Sequence, residues 1–208
     1  FKRIYQQSPV LFETSKLPNE STIIEEAKAF LQQMGRYPQD IAKGTAHIVY
    51  MQYDVQGETF TVVQNPKKAN VVEIDFFRPD VDLISVVSPK YFTSQNFVAF
   101  TFPGEKPEII KASVQFFDQD TQNTAMYPVK TGDQAWEDLK SKKGVIIANQ
   151  NPSSTIKVTK MLFAYLDPDM YQPYLQPVYV FLGDNNFVAY VSAVPDEDLA
   201  DPTPTPSE

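Results

Sequence analysis

His47 is the only histidine in this 208-residue chain, so a Ser-His-Asp triad would have a single candidate for its base. It stands in Ala46-His47-Ile48-Val49, and no Gly-x-Ser-x-Gly nucleophile elbow accompanies it. It reads as a strand histidine on a half-exposed face. Metal sites that need two histidines are excluded. The lack of cysteine removes disulfides, thiolate zinc sites and cysteine nucleophiles together.

Carboxylates are the remaining chemistry. Glu73 and Asp75 lie two apart on an alternating strand, which places both on one face about 6–7 Å apart, a spacing a paired-carboxylate hydrolase could use. Alternating acids also mark the wet side of an amphipathic strand, with Arg78 near enough to pair with one of them, and that is the expectation here. Asp118-Gln119-Asp120-Thr121-Gln122-Asn123 begins like a calcium loop, but Asn123 replaces the turn glycine and Val129 the closing glutamate. A polar hairpin loop is expected there. The seven glycines form neither a dinucleotide fingerprint nor a Walker loop. No catalytic residue, metal ligand or cofactor is assigned.

The segment from Tyr165 to Tyr179 points elsewhere. Pro168, Pro173 and Pro177 hold it extended and away from a regular ladder, while Met170, Tyr171 and Tyr174 offer stiff or adaptable contact area. Met170, Tyr171, Pro173, Tyr174 and Pro177 are therefore the candidate partner-binding residues. The competing reading is a long crossover loop pinned to its own sheet by the tyrosines.

Charge says something about the partner. All 18 basic residues lie at or before Lys160, whereas Asp167, Asp169, Asp184, Asp196, Glu197, Asp198, Asp201 and Glu208 follow it. The net charge of −8 thus belongs to the last 48 residues. Such a region repels a phosphate backbone, so no nucleic acid is expected, and a basic or membrane-associated protein partner suits it.

These residues must be positioned by a packed core, for which 42% hydrophobic and 13% aromatic content suffices. Thr22 and Glu25 form a capping-box pair ahead of Ile23, Ala27, Phe30, Leu31 and Met34, which recur at helical period before Gly35 and Pro38. Strands are predicted at 46–53 and 58–63 around a turn at Asp54-Val55-Gln56-Gly57, at 71–77, and at 97–102 and 109–117. Within 71–77, Val72, Ile74 and Phe76 mark a buried face and Glu73 and Asp75 a wet one. After Tyr127-Pro128 the order restarts: Thr131 and Gln134 cap a helix carrying Ala135, Trp136 and Leu139, with Trp136 expected in the core. Strands then follow at 145–148, 156–165, 178–182 and 187–194, the last two joined at Gly183-Asp184-Asn185-Asn186.

The expected fold is α+β, with two helix-plus-antiparallel-sheet units in a pseudo-repeat. Residues 1–20 form an extended lead-in, 21–126 the first unit and 127–195 the second. Residues 196–208 form a disordered acidic, Pro/Thr-rich linker or tail. Because the sequence starts at Phe1, a signal peptide or membrane anchor is expected upstream.

Tyr127-Pro128-Val129, Gln134-Ala135-Trp136-Glu137-Asp138-Leu139, the run from Val158 to Tyr165, Leu175-Gln176-Pro177-Val178-Tyr179-Val180-Phe181 and the run from Phe187 to Val194 follow one another in the second half. This order resembles the YycI/YycH-like and PepSY-like extracytoplasmic modules of bacteria over about a third of the chain. The resemblance implies a membrane-anchored protein with its module outside the cytoplasm and, in the YycI/YycH case, control of a sensor kinase through protein contact. It supplies no catalytic residues. The functional expectation is a non-catalytic interaction module of the bacterial cell envelope, regulatory toward a membrane sensor. A structural or adhesive surface component and a carboxylate-dependent hydrolase are the alternatives.

Overall fold

The structure is a computed structural model that describes residues 5, 8–13, 17–104, 106–117, 126–152, 155–172 and 174–198. The Asp118–Asn123 loop and Pro173 lie outside the described residues, as do residues 199–208. In chain order the first elements are α1 (Glu20–Gln33), α2 (Gln39–Lys43), β1 (Thr45–Asp54), β2 (Thr59–Val62), β3 (Val71–Phe77), β4 (Val86–Val87), β5 (Phe97–Thr101) and β6 (Glu108–Ser113). They are followed by α3 (Gly132–Lys140), β7 (Val145–Ala148), β8 (Val158–Leu166), β9 (Gln176–Gly183) and β10 (Phe187–Ser192). The chain is α+β.

It divides into two compact units. The first comprises residues 1–79 and 92–116, the second residues 80–91 and 117–208. This partition differs from a single cut at 126/127, because β4 hydrogen-bonds to β8 and carries residues 80–91 into the second unit.

In the first unit an antiparallel sheet runs in the order β2-β1-β3-β5-β6. α1 lays Ile23, Ala27 and Leu31 on one face of it, against Val72, Ile74, Phe76, Val98 and Phe100. The helix starts one turn earlier than the Thr22–Glu25 pair suggests. Its cap is Asn19, whose Oδ1 accepts from the Thr22 N–H at 2.9 Å and from the Ser21 and Thr22 hydroxyls. At the other end Gly35 adopts φ +62°, and the Arg36 N–H reaches back to the Leu31 carbonyl at 2.8 Å, closing a Schellman motif.

The second face of this sheet is not wet. Tyr5, Leu11 and Phe12 cover Met51, Tyr53, Val71, Ala99 and Ile110, so the first twenty residues contribute to the core and are not merely a lead-in. Pro9–Phe12 is a short 3-10 turn that presents Leu11 and Phe12 inward. β3 is consequently a central strand with both faces covered: Asp75 has no exposed surface, and Arg78 is buried with its guanidinium 3.8 Å over the Phe116 ring. Alternation of acids along a strand does not report solvent when another segment packs over that face.

In the second unit the sheet order is β4-β8-β9-β10-β7, antiparallel except for the parallel β4–β8 edge. α3 begins with the expected capping box: the Gln134 N–H donates to Thr131 Oγ1 at 3.3 Å and the Thr131 N–H to Gln134 Oε1 at 2.7 Å. Ala135 is fully buried against Phe181, Phe187, Ala189 and Val191. Trp136 is not a core residue. It is 38% exposed, with its ring at the rim of the helix, 5.9 Å from Phe181. Val87 and Tyr91 cover the other face over Val178, Val180, Val188 and Tyr190. Both units place a helix before antiparallel strands, but they wind differently. β1 lies inside its sheet, whereas β7 lies at an edge beside the last strand.

Candidate functional site

The antiparallel β8–β9 pair positions the candidate surface. Its ladder runs from Val158↔Gly183 to Leu166↔Gln176, so Tyr165, Leu166, Gln176 and Pro177 lie in regular pairing and not in an extended crossover. Pro177 is half-buried opposite Tyr165, and its carbonyl accepts from the Ala193 N–H at 3.0 Å. It therefore belongs to the sheet, near the start of β9 where a missing N–H is best tolerated. The true connection is 167–175. Asp167 and Pro168 are buried at its base, and the Asp167 N–H donates to the Val87 carbonyl at 2.9 Å.

Beyond that base the side chains turn outward. Met170, Tyr171 and Tyr174 are 70%, 73% and 49% exposed. The tyrosines meet other rings edge-on: Tyr171 with Phe117 at 5.9 Å between centroids and Tyr174 with Tyr127 at 6.1 Å. Met126, beside Tyr127, is fully exposed, and Val129 is half-exposed. Phe117, Met126 and Tyr127 thus join the candidate residues. In the sequence Tyr127-Pro128 marks only the point where the pattern restarts, although its Met-Tyr-Pro composition matches that of the hairpin. Pairing at both ends of the loop supports the tyrosine rings, which remain about half or more exposed.

An ion-pair cluster fixes the neighbouring backbone. Lys130 Nζ lies 2.8 Å from Asp138 Oδ2 and 2.9 Å from Asp196 Oδ1, and Lys143 Nζ lies 3.0 Å from Asp196 Oδ2 and 3.5 Å from Asp138 Oδ1. The Lys130 carbonyl accepts from the Tyr179 hydroxyl at 2.7 Å, and its N–H donates to the Ala193 carbonyl at 2.7 Å. Burial works against the Lys130 charge, but hydrogen bonds to Asp138 and Asp196 outweigh it and raise its pKa. The hydrogen bond from Lys130 holds Asp138 below the usual carboxylate value against the opposing effect of burial. Hydrogen bonds from Lys130 and Lys143 lower Asp196 likewise. Asp196 is therefore part of the folded unit, within a 3-10 turn at Asp196–Asp198, and the expected tail boundary moves past it. On the other face of the sheet the Tyr190 hydroxyl donates to the Ser88 carbonyl at 2.8 Å, and burial raises its pKa far above the ordinary phenol range.

The residues weighed for catalysis do not form a comparable arrangement. His47 is an exposed strand residue whose ring lies 4.9 Å from that of Phe77. It is in register with Asp75, yet the Asp75 carboxylate is sealed within the sheet layer. Glu73 is half-buried, so the two acids do not share an open cleft. Among the described residues no cluster of three or more His, Asp or Glu side chains is placed to hold a metal ion. No described helix is long and apolar enough to cross a membrane. No protein-family model, curated protein or solved structure matches the chain.

Proposed function

We propose that this chain is a non-catalytic protein-interaction module of the bacterial cell envelope. In this reading it works outside the cytoplasm, is tethered to the membrane, and regulates a membrane sensor through contact. The observation that carries the reading is the exposed cluster of Met126, Tyr127, Met170, Tyr171 and Tyr174, built on a paired-strand scaffold. Large aromatic and methionine side chains on a rigid support are what central contact residues of protein interfaces require. The excess of acid after Lys160 makes a basic partner surface the complementary one, with a salt-sensitive association rate. The envelope setting rests on the resemblance of the second half to extracytoplasmic modules.

A Tyr171→Ala, Tyr174→Ala double variant tests the reading. Both side chains are too exposed for their loss to unfold the unit, so circular dichroism should match the parent and melting should stay cooperative, with at most a modest drop in Tm. Capture of a membrane partner from envelope extract should fall at least tenfold. Undiminished capture by the folded variant would remove this surface from the interface.

A further inference from the structure

Residues 80–91 enter the second unit through a tight turn whose side chains its own sheet does not explain. Val81 and Ile84 exchange both backbone N–H to carbonyl bonds at 2.9 Å, and between them Asp82 and Leu83 take φ +48° and +66°. This two-residue hairpin geometry favours Asn and Gly, because a Cβ crowds the backbone in the left-handed region. The chain meets the same demand ahead of β10 with Asn185 and Asn186, both at φ +55°. Leu83 suits its turn poorly and, at 97% exposed, packs on almost nothing. Tyr91, at φ +60°, is offset by a ring that packs over the sheet. Leu83 has no such offset within the chain. Strain kept on an unburied apolar side chain points to a contact outside the molecule.

The turn is mounted on a sheet edge. Directly after it the Tyr165 N–H donates to the Ser85 carbonyl at 2.9 Å, and Val86 and Val87 pair with Tyr165 and Leu166 as the outermost strand, β4. Asp80 and Asp82 flank Leu83, both exposed and neither in an ion pair among the described residues. The opposite edge of the same sheet, β7, has the reverse character. Val145 and Ile146 are 63% and 58% exposed, and no proline or charge within β7 blunts its edge. Lys142 precedes them, exposed and without an ion pair among the described residues, whereas Lys140 and Lys143 are engaged by Glu137 and Asp196. Four strand spacings of about 4.8 Å separate the two edges by roughly 19 Å, so a turn this short does not reach β7 of its own sheet.

We propose that the chain associates head to tail with itself: Leu83, between Asp80 and Asp82 on the β4 edge of one copy, seats against Val145, Ile146 and Lys142 on the β7 edge of the next. The two surfaces differ, so the contact is heterologous. A dimer still offers one free surface of each kind, and association continues past it. The contact uses none of the tyrosine surface and goes beyond the reading of that surface as a partner site.

Sedimentation velocity across the micromolar to millimolar range tests this, since a patch of this size supports weak association. The average mass of the parent chain should climb past that of a dimer, and less steeply at high salt. Two variants break one side each: Asp82→Lys with Leu83→Gly removes the tip, and Lys142→Glu with Ile146→Thr removes the β7 surface. All four side chains are exposed, so circular dichroism should show both variants folded, and Lys142→Glu alone serves if Ile146→Thr disturbs β7. Each variant alone should associate at least tenfold more weakly than the parent. An equimolar mixture of the two should form a one-to-one dimer and nothing larger. Asp82→Lys combined with Lys142→Glu, with Leu83 and Ile146 kept, should restore assembly. A parent that stays monomeric throughout overturns the proposal. Undiminished self-association of either variant alone also overturns it, in favour of a two-fold contact or one elsewhere on the molecule. A mixture that stays monomeric while the parent assembles shows that the two edges do not meet. The Tyr171→Ala, Tyr174→Ala chain should assemble as the parent does, and loss of assembly there would move the contact to the tyrosine surface.

Discussion

The Tyr174 ring meets the Tyr127 ring edge-on, with centroids 6.1 Å apart and planes at 66°. The contact joins the β8–β9 connection to the segment that leads into α3, and it leaves about half of each ring open. Edge-to-face pairs of this kind contribute about 0.5–1.5 kcal/mol beyond area burial. That biases two exposed rings toward one relative orientation before any partner arrives.

Trp136 and Phe181 separate rim from core on the α3 side. Trp136 is 38% exposed, whereas Phe181 is 1% exposed. Trp136→Ala should cost about 1–2 kcal/mol, since much of the ring is already in water. Phe181→Ala should cost about 3–5 kcal/mol, as expected for a large cavity in a packed core. Urea unfolding of the two variants checks the order. A larger loss at Trp136 would place that ring in the core after all.

The ion-pair cluster gives the second unit a dependence on acid. Asp138 and Asp196 have folded pKa values below those of the unfolded chain. Between those lowered values and the ordinary aspartate value near 4, the unfolded chain binds more protons, so stability rises with pH there. Their contribution is complete above about pH 5 and is lost as pH falls through the lowered values. Asp138→Asn should flatten this slope, and at neutral pH it should cost about 1–3 kcal/mol, because Lys130 and Asp138 are both largely buried. Thermal melting between pH 3 and 7 measures it. An unchanged slope in the variant would show that the cluster does not couple to folding.

Much of the secondary structure was legible in local chemistry. The Thr131–Gln134 box, β3 at 71–77, β7 at 145–148 and the turn before Phe187 stand where turn residues and periodicity put them. The buried face of β3 and Ala135 were legible too, but not what packs over the opposite face of a sheet or where a buried stripe ends. Asp75 looked solvated because strand alternation cannot show that the second face of its sheet is also packed. Trp136 looked central because helical spacing cannot tell the middle of a buried stripe from its rim. Pro177 looked like a loop residue because proline is poorly suited to a ladder, yet it sits opposite Tyr165 within one. The candidate surface was half legible. Met170, Tyr171 and Tyr174 were marked by composition, but their ring partners Phe117 and Tyr127 lie more than forty residues away in sequence.

A photo-crosslinking residue placed at Tyr174 tests the central claim most directly, with the same residue at Met34, an exposed position of the first unit, as control. The protein would be irradiated in intact cells that express it, with and without a Tyr127→Ser substitution. The account predicts one discrete adduct from position 174, none of that mass from position 34, and at least a fivefold loss of the adduct when Tyr127 is replaced. The same adducts from both positions, or an adduct at 174 indifferent to Tyr127, would contradict a partner site built on these rings.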